Sequence, residues 1–315
     1  MKIKVKVLTP VHISSGEELS PAEYFIDKNT GKFSRIDVES LFADRAFSPY
    51  REQYIRQAST SRYLGLIITD HSLLLKHTLY NLSASPEFKN QNYINIKLFI
   101  KSAGRVFIPG SSIKGSIISA LLYYALRNLC TESYEIFSLR TNYKELLDKT
   151  YSYLSKNDDK KENHLNKQAI KNRFLNLISV SDSNLLSPKE SLRVDIAKVI
   201  GARRGGQIPI AYETLKEGTT FELELKSINC RLNEKEILKI CHEFYSKVAE
   251  KEQLSQLSQE PYLCRLGQGS SRWAVSFLIL AQELGIKDYL RPPRTKKRVI
   301  YGIEKAMGFI QLSIS

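Results

Sequence analysis

The chain passes from a predicted strand into a predicted helix at Phe107-Ile108-Pro109-Gly110-Ser111-Ser112-Ile113-Lys114-Gly115-Ser116. Residues 105–108 form a short strand pattern, and small residues then begin a helix that we expect to reach about Cys130. Backbone N–H groups and one cation meet at such a junction, which predicts an anion site. The alternative is that the small residues only allow the helix to approach the strand closely. The candidate contacts are Ser111, Ser112, Lys114 and Gly115.

The same stretch differs from the phosphate loop of nucleotide triphosphatases. Its order is Lys114-Gly115-Ser116, whereas a Walker A loop requires Gly-Lys-Ser after an earlier glycine at a fixed spacing. A nucleotide triphosphatase is therefore excluded as a function class.

Strands and helices follow one another irregularly on both sides of this junction. Ile3, Val5 and Val7 alternate with lysines, as in a half-buried edge strand. Further strands are predicted at 24–27, 32–33, 94–100, 175–180, 192–200, 219–226 and 308–314, and further helices at 37–60, at 234–252 and after residue 269. The turn residues Asn29-Thr30-Gly31 predict that the first two of these strands form a hairpin. This order predicts an α+β fold of two tandem ferredoxin-like (RRM-like) domains. We place them at 1–205 and 206–315, with a polar insertion around 140–173.

A second glycine loop precedes a predicted helix at Arg265-Leu266-Gly267-Gln268-Gly269-Ser270-Ser271-Arg272-Trp273. Its arginines suit phosphate groups, and the Trp273 indole suits a stacked base. Arg272 stands where a G-x-G-x-x-G fingerprint has its third glycine, which argues against dinucleotide binding. For Trp273 alone, a core position is the favoured interpretation. The candidate contacts are Arg265, Gly267, Gly269, Ser270 and Arg272.

Two further stretches are basic. The loop from Gly201 to Gly206 contains Arg203 and Arg204, and such a cationic loop follows a phosphate backbone without reading its sequence. The run from 291 to 298 is denser in charge, but its prolines predict an extended linker. Its role stays open between RNA contact and solvated charge.

The composition points to a polyanionic partner. The 315 residues contain 47 Lys plus Arg and 33 Asp plus Glu, a formal net charge of +14. A membrane surface would require an apolar anchor, and the longest apolar run, 117–126, is about half the roughly 20 residues of a bilayer span. The four cysteines form no C-x-x-C pair, so neither a zinc ribbon nor a disulfide framework is predicted. We expect a cytoplasmic protein without a membrane partner.

His12 is the candidate for catalytic chemistry. An imidazole can take the proton of a 2′-OH, so a metal-independent endoribonuclease with His12 as base is the alternative function. No second histidine is near it in the sequence, and an oriented histidine that contacts backbone or RNA is the favoured interpretation. Asp27, Asp37, Asp182 and Asp195 are isolated acids. We therefore expect no metal, no cofactor and no catalytic residue.

Four stretches resemble a known family. The run from Thr9 to Pro21, followed by Tyr24-Phe25-Ile26-Asp27, resembles the start of the fifth-subunit family of type III-A CRISPR Csm complexes. Residues 108–115 are similar to the strand-to-helix motif of the RAMP (repeat-associated mysterious protein) superfamily. Gly267-Gln268-Gly269-Ser270 resembles its C-terminal glycine-rich loop, here with only two glycines. Residues 307–310 are similar to its closing strand, so the resemblance covers most of the chain.

The resemblance implies a structural role in antiviral defence. It implies two fused RRM-like domains and a non-enzymatic RNA-binding subunit at the end of the Csm backbone filament, near the 3′ side of the guide (CRISPR) RNA. The expected partners are that RNA, other Csm subunits, chiefly the adjacent backbone RAMP subunit, and recruited host nucleases that mature the guide RNA (crRNA maturation). Target cleavage is not implied. For the alternative function, a RAMP-type endoribonuclease with His12 as base, the resemblance implies repeat RNA as the substrate.

Overall fold

The computed structural model describes residues 1–90, 93–132, 143–156, 172–200, 209–275, 277–285 and 297–315. The predicted RNA contacts Arg203 and Arg204 lie outside the described residues, as do positions 291–296 of the second basic run. Positions 157–171 of the predicted insertion also lie outside them.

Strands and helices are interspersed along the described chain. The strands are β1 (Lys2–Val7), β2 (Ser14–Leu19), β3 (Tyr24–Asp27), β4 (Lys32–Ile36), β5 (Thr78–Ala84), β6 (Ile96–Phe99), β7 (Lys101–Ser102), β8 (Arg105–Val106), β9 (Ile178–Val180), β10 (Leu192–Ile200), β11 (Ile210–Leu215), β12 (Thr220–Ser227), β13 (Leu263–Arg265), β14 (Lys297–Ile300), β15 (Lys305–Ala306) and β16 (Phe309–Ile314). The α-helices are α1 (Val38–Ala43), α2 (Arg51–Ala58), α3 (Leu64–Ile67), α4 (His71–Lys76), α5 (Pro86–Asn90), α6 (Gly110–Glu132), α7 (Tyr143–Leu154), α8 (Pro188–Ser191), α9 (Glu234–Lys251), α10 (Arg272–Val275) and α11 (Leu278–Glu283).

The first sheet has the strand order β13-β16-β1-β12-β9. Its middle strand, β1, is antiparallel to both neighbours, so that Lys4 lies opposite Glu222 of β12 and Ser313 of β16. The buried side chains of β1 are Ile3, Val5 and Val7, and its lysines are exposed. The alternation therefore predicted the half-buried strand correctly. The expected edge position is wrong, because alternation reports which face is buried and not how many strands pair with it.

The larger sheet has the order β2-β6-β11-β10-β5-β4-β3, with β14 beside β10 and β15 beside β14. The pairs β10/β5 and β11/β6 are parallel, and β3/β4 is the hairpin predicted from the sequence. Each of the two large sheets takes strands from both sides of residue 205. The division into 1–205 and 206–315 stays a prediction about folding units, but the sheets do not follow it.

The helices α6 and α9 pack against each other beside the first sheet. The start of α9 is fixed by a capping box, in which the Asn233 side chain accepts from the Glu236 N–H and the Glu236 side chain accepts from the Asn233 N–H. One contiguous apolar core extends over both large sheets and these helices. The fold contains both helices and strands, as expected, and its arrangement as two tandem ferredoxin-like units of an α+β fold stays a prediction.

Part of the predicted polar insertion is a packed helix. Residues 143–154 form α7, in which Leu147, Tyr151 and Leu154 are buried in the core. These apolar positions recur at intervals of three and four, the spacing of one helical face. The prediction of a polar insertion around 140–173 is therefore wrong for residues 143–154. No described helix is both long and apolar enough to cross a bilayer.

Candidate nucleic-acid interface

The two glycine-containing motifs meet across a cleft of about 420 Å³. One wall is the first half of α6, and the other is the loop that leads into α10. The lining residues are Ser111, Ser112, Gly115, Ser116, Ser119, Tyr245, Arg265, Gly267, Ser270 and Ala274. The sequence predicted both walls separately, and the structure brings them together.

The face of α6 toward the cleft consists of small residues. Ser112, Gly115, Ser116 and Ser119 follow the spacing of one helical face, and the Tyr245 hydroxyl of α9 donates to the Ser116 carbonyl at 2.9 Å. Ser116, Ser119 and Tyr245 were not predicted as site residues. The signal for the two serines is their spacing from Ser112, because these positions share a side of the helix.

The beginning of α6 is held by backbone contact and by a carboxylate. The Gly110 N–H donates to Asp182 Oδ1 at 2.8 Å, and a Cβ atom on Gly110 would lie 2.2 Å from the Val180 carbonyl oxygen. The interpretation of close approach is therefore confirmed at Gly110. Asp182 therefore satisfies one of the N–H groups at this helix end, and the Ser112 N–H donates to the Pro109 carbonyl at 2.9 Å.

The glycine loop is supported by the backbone of His12. The Gln268 N–H donates to the His12 carbonyl at 2.8 Å, and Gly267 has φ +81°. A Cβ atom on Gly267 would lie 2.3 Å from the same carbonyl oxygen. Ser270 Oγ then donates to the Gly267 carbonyl at 3.1 Å, which closes the turn. The loop keeps this shape only if residue 267 has no side chain.

Arg265 is buried behind this loop. Its guanidinium pairs with Glu252, donates from Nη2 to the Gly269 carbonyl at 3.2 Å and from Nε to the Met307 carbonyl at 3.1 Å. Glu252 also accepts from the Ser271 hydroxyl. The structure therefore corrects the prediction that Arg265 meets phosphate directly. With its guanidinium enclosed, Arg265 fixes the loop from inside, and Glu252 is a partner that the sequence did not indicate.

Of the other predicted contacts, Ser111 lines the cleft, whereas Lys114 and Arg272 are not among its lining residues. Ser111 and Arg272 are exposed, and Lys114 is half-buried. Trp273 is buried, and the Lys251 ammonium lies 5.6 Å from its ring centroid. The core interpretation of Trp273 is therefore confirmed, and its indole is not presented for base stacking.

His12 is buried below the glycine loop. Its Nδ1 lies 2.7 Å from the Glu213 carbonyl oxygen, and its ring centroid lies 4.7 Å from that of Tyr212. A carbonyl only accepts, so Nδ1 carries the proton in the neutral ring. Burial lowers the pKa of His12 to about 4, and the nearby Lys97 and Arg298 charges act in the same direction. An enclosed side chain gives little support to the endoribonuclease alternative, and direct RNA contact by the His12 side chain would require it to be uncovered.

We expect His12 to make folding pH-dependent. Its pKa in the folded protein lies below the ordinary histidine value of 6.5, so the unfolded chain binds the extra proton as the pH falls. This group therefore contributes no pH dependence above about pH 6.5, and costs up to about 3 kcal/mol of stability as the pH falls toward 4. Urea unfolding at several pH values should show a shallower pH dependence for His12→Asn than for the wild type.

The matched control for this change is His71→Asn, which removes an exposed histidine. It should keep the wild-type pH dependence. Equal dependence in His12→Asn and the wild type would contradict the assignment of a buried neutral imidazole at position 12.

Among the described residues, no three His, Cys, Asp or Glu side chains are grouped so that they could hold a metal ion. The chemistry available at the cleft is that of hydroxyl and backbone N–H groups, because Arg265, the cation among its described lining residues, is paired with Glu252. Such groups bind phosphates and ribose hydroxyls rather than base edges. The arrangement is therefore suited to sequence-independent contact with a nucleic-acid backbone.

Comparisons with known proteins place the chain in a family. The sequence pattern of the RAMP superfamily matches residues 4–272. The CRISPR system protein Csm5 of Methanocaldococcus jannaschii is 26% identical over 241 residues, which cover 72% of this chain and 52% of that protein. This chain thus spans about half the length of that curated relative.

Two solved structures share the fold over nearly the whole chain. The crystal structure of T. onnurineus Csm5 superposes with a TM-score of 0.70 at 22% identity, covering 98% of this chain and 99% of that one. A chain of a cryo-EM Csm-crRNA-target RNA ternary complex from a type III-A CRISPR-Cas system gives 0.70 at 21% identity, covering 99% and 100%. Because the family match includes both walls of the cleft, we conclude that the chain belongs to the RAMP superfamily.

Proposed function

We propose that this protein is a non-catalytic RNA-binding subunit of a type III-A CRISPR effector (Csm) complex. The observation that carries the proposal is the cleft between α6 and the glycine loop, in a chain with a net charge of +14. Its resemblance to Csm5 and to a chain of an RNA-containing Csm complex supports the same role. In this proposal the protein binds the 3′ side of the guide RNA and caps the backbone filament.

The cleft suits an RNA strand bound through its backbone. Serine hydroxyls line the α6 wall, and Lys114 and Arg272 belong to the elements that form the two walls. Hydroxyl groups can donate to phosphate oxygens or accept from a 2′-OH, and lysine and arginine neutralise phosphates. Binding of this kind depends on salt and little on sequence.

The assembly role adds partners to the RNA. The proposed neighbours are the adjacent backbone RAMP subunit and the other Csm subunits, and the proposed part in guide maturation is the recruitment of host nucleases in the cytoplasm. Affinity purification from the native host, followed by RNA sequencing and mass spectrometry, tests this. Short repeat-spacer RNAs with other Csm subunits are expected. Diverse cellular RNA without those subunits would refute the assembly role.

A carboxylate in the cleft should weaken RNA binding without unfolding the protein. We expect Ser111→Glu to lower the affinity for single-stranded RNA about tenfold, or about 1.4 kcal/mol, because its charge repels phosphate. Glutamate in the first turn of a helix is compatible with the helix dipole, so thermal stability should change little. Fluorescence anisotropy with a labelled RNA measures the affinity.

Ser179→Glu is the matched control for this variant. It adds the same charge at an exposed position of β9, opposite Lys226 in the sheet. Its affinity for RNA should remain close to that of the wild type. Equal losses in both variants would show a general charge effect, and no loss in Ser111→Glu would remove the cleft from the RNA path.

A further inference from the structure

A second cavity lies away from the glycine loop, at one end of the larger sheet. It has a volume of about 290 Å³ and forms where β4 begins, β5 ends and the chain leaves β11. Lys32 and Ser83 face each other across the β4/β5 pair, Lys216 follows β11, and Lys189 belongs to α8. Four separate chain segments therefore contribute to one pocket.

The pocket collects positive charge that is not neutralised within the described chain. Lys32, Lys189 and Lys216 all line it, and none of them forms an ion pair with a described carboxylate. The carboxylate of Glu190 acts on Lys216 from a distance, while the nearby Arg193 is paired with Asp195 at 2.7 Å. An anion in this pocket would be attracted by all three lysines.

The position of the Lys216 ammonium is fixed by a hydrogen bond within the pocket. Its Nζ donates to the Lys189 carbonyl at 2.9 Å, which holds the ammonium in place and leaves further N–H donors. The side chain is half-buried, and this burial, together with the Arg193 charge, lowers its pKa. A partly desolvated ammonium beside other cations costs free energy, and a bound anion would offset that cost.

Neutral hydrogen-bonding groups complete the lining. Asn81 is oriented by the Ser34 hydroxyl, which donates to its Oδ1 at 2.6 Å, so the Asn81 amide keeps its N–H donors for another partner. The hydroxyl of Ser83 lies in the same lining, and Thr30 Oγ1 donates to Asp27 Oδ2 at 2.7 Å. The Asp27 carboxylate is also engaged by the Asn29 N–H at 2.9 Å. The Asp27 carboxylate thus accepts hydrogen bonds from residues of its own turn.

From this arrangement we infer that the pocket formed by Lys32, Lys189, Lys216, Asn81 and Ser83 binds a phosphate group. Phosphate has several acceptor oxygens and can take bonds from more than one ammonium together with hydroxyl and amide donors, whereas a single carboxylate offers two oxygens. The phosphate comes either from a nucleic-acid backbone or from a free phosphate or nucleotide. The inference does not depend on RNA binding in the glycine-loop cleft.

The test compares two double variants. Lys32→Ala/Lys189→Ala removes two exposed cations of the pocket and leaves Lys216 in place. Lys4→Ala/Lys226→Ala removes two exposed lysines from the first sheet and is the control for net charge. Lys216→Gln, which keeps a donor for the Lys189 carbonyl, is a second pocket variant in case the first is unstable.

Two probes distinguish the source of the phosphate. The first is inorganic phosphate at constant ionic strength, with the melting temperature as the readout. The second is labelled single-stranded RNA, with the anisotropy followed over a range of salt. The pocket variants should bind phosphate about tenfold more weakly than the control, and each lost RNA phosphate contact should reduce the salt slope by about 0.7.

Each outcome decides the inference. If the pocket variants bind both inorganic phosphate and RNA more weakly than the control, the ligand is a nucleic-acid phosphate. If they bind only inorganic phosphate more weakly, the ligand is a free phosphate or nucleotide. If the pocket variants match the control with both probes, the inference is overturned. It is also overturned if they lose only the binding of an acidic protein subunit in a reconstituted complex. A wild type that fails to bind RNA but binds phosphate would refute the cleft proposal and leave this one standing.

Discussion

Replacing Arg265 by alanine should lower the free energy of unfolding by about 3–5 kcal/mol. Arg265 is 1% exposed, and its removal takes away a cation that pairs with the buried Glu252 carboxylate. It also removes the donors that reach the Gly269 and Met307 carbonyls, so the glycine loop loses its internal support. Urea unfolding measures the stability, and we expect RNA affinity to fall with it.

The ion pair between Arg56 and Glu52 provides the contrast. Both side chains are largely exposed, and Arg56→Ala should leave stability nearly unchanged. The double variant Arg265→Met/Glu252→Gln removes both buried charges and should recover much of the stability lost in Arg265→Ala. A loss in Arg265→Ala no larger than in Arg56→Ala would contradict the structural role that we assign to the buried pair.

Gly267→Ala should reduce RNA affinity by at least about tenfold, or about 1.4 kcal/mol. The added Cβ would lie 2.3 Å from the His12 carbonyl oxygen. The backbone of the glycine loop, or of the segment between β1 and β2 that contains His12, must therefore move. That movement breaks the 2.8 Å bond from the Gln268 N–H and displaces Ser270, which lines the cleft. The left-handed φ adds a strain of about 1–2 kcal/mol.

Gly218→Ala is the control that separates backbone strain from the steric clash with the His12 carbonyl. Gly218 also has φ +81°, but a Cβ atom there would meet nothing within 4 Å. This variant should lose stability through strain alone and keep RNA affinity. If Gly267→Ala binds RNA as Gly218→Ala does, then the position of the glycine loop does not determine binding.

The sequence predicted those elements whose signals are local. Alternation located β1, turn residues located the β3/β4 hairpin, and small residues before an apolar run located the start of α6. The RAMP resemblance identified both walls of the cleft, and the family match confirms the superfamily. These signals require only a few neighbouring residues.

The errors concern contacts between distant parts of the chain. Arg265 beside a glycine loop is typical of a surface cation, and only the tertiary fold brings Glu252 against it. The central position of β1 depends on β12 and β16, which alternation in residues 2–7 does not report. The basic pocket combines Lys32, Lys189 and Lys216, and none of these stands out in its own segment. The sequence gives the number of charged residues, whereas their function depends on where the fold places them.

The pairing of β1 with β16 also limits when the protein can finish folding on the ribosome. β1 is synthesised long before β16, and one of its two hydrogen-bonding edges is unsatisfied until residues 309–314 have emerged. An open strand edge invites pairing with other nascent chains, and the charged Lys2, Lys4 and Lys6 oppose such pairing. Slowing translation should therefore lengthen an aggregation-prone interval that only the arrival of β16 ends.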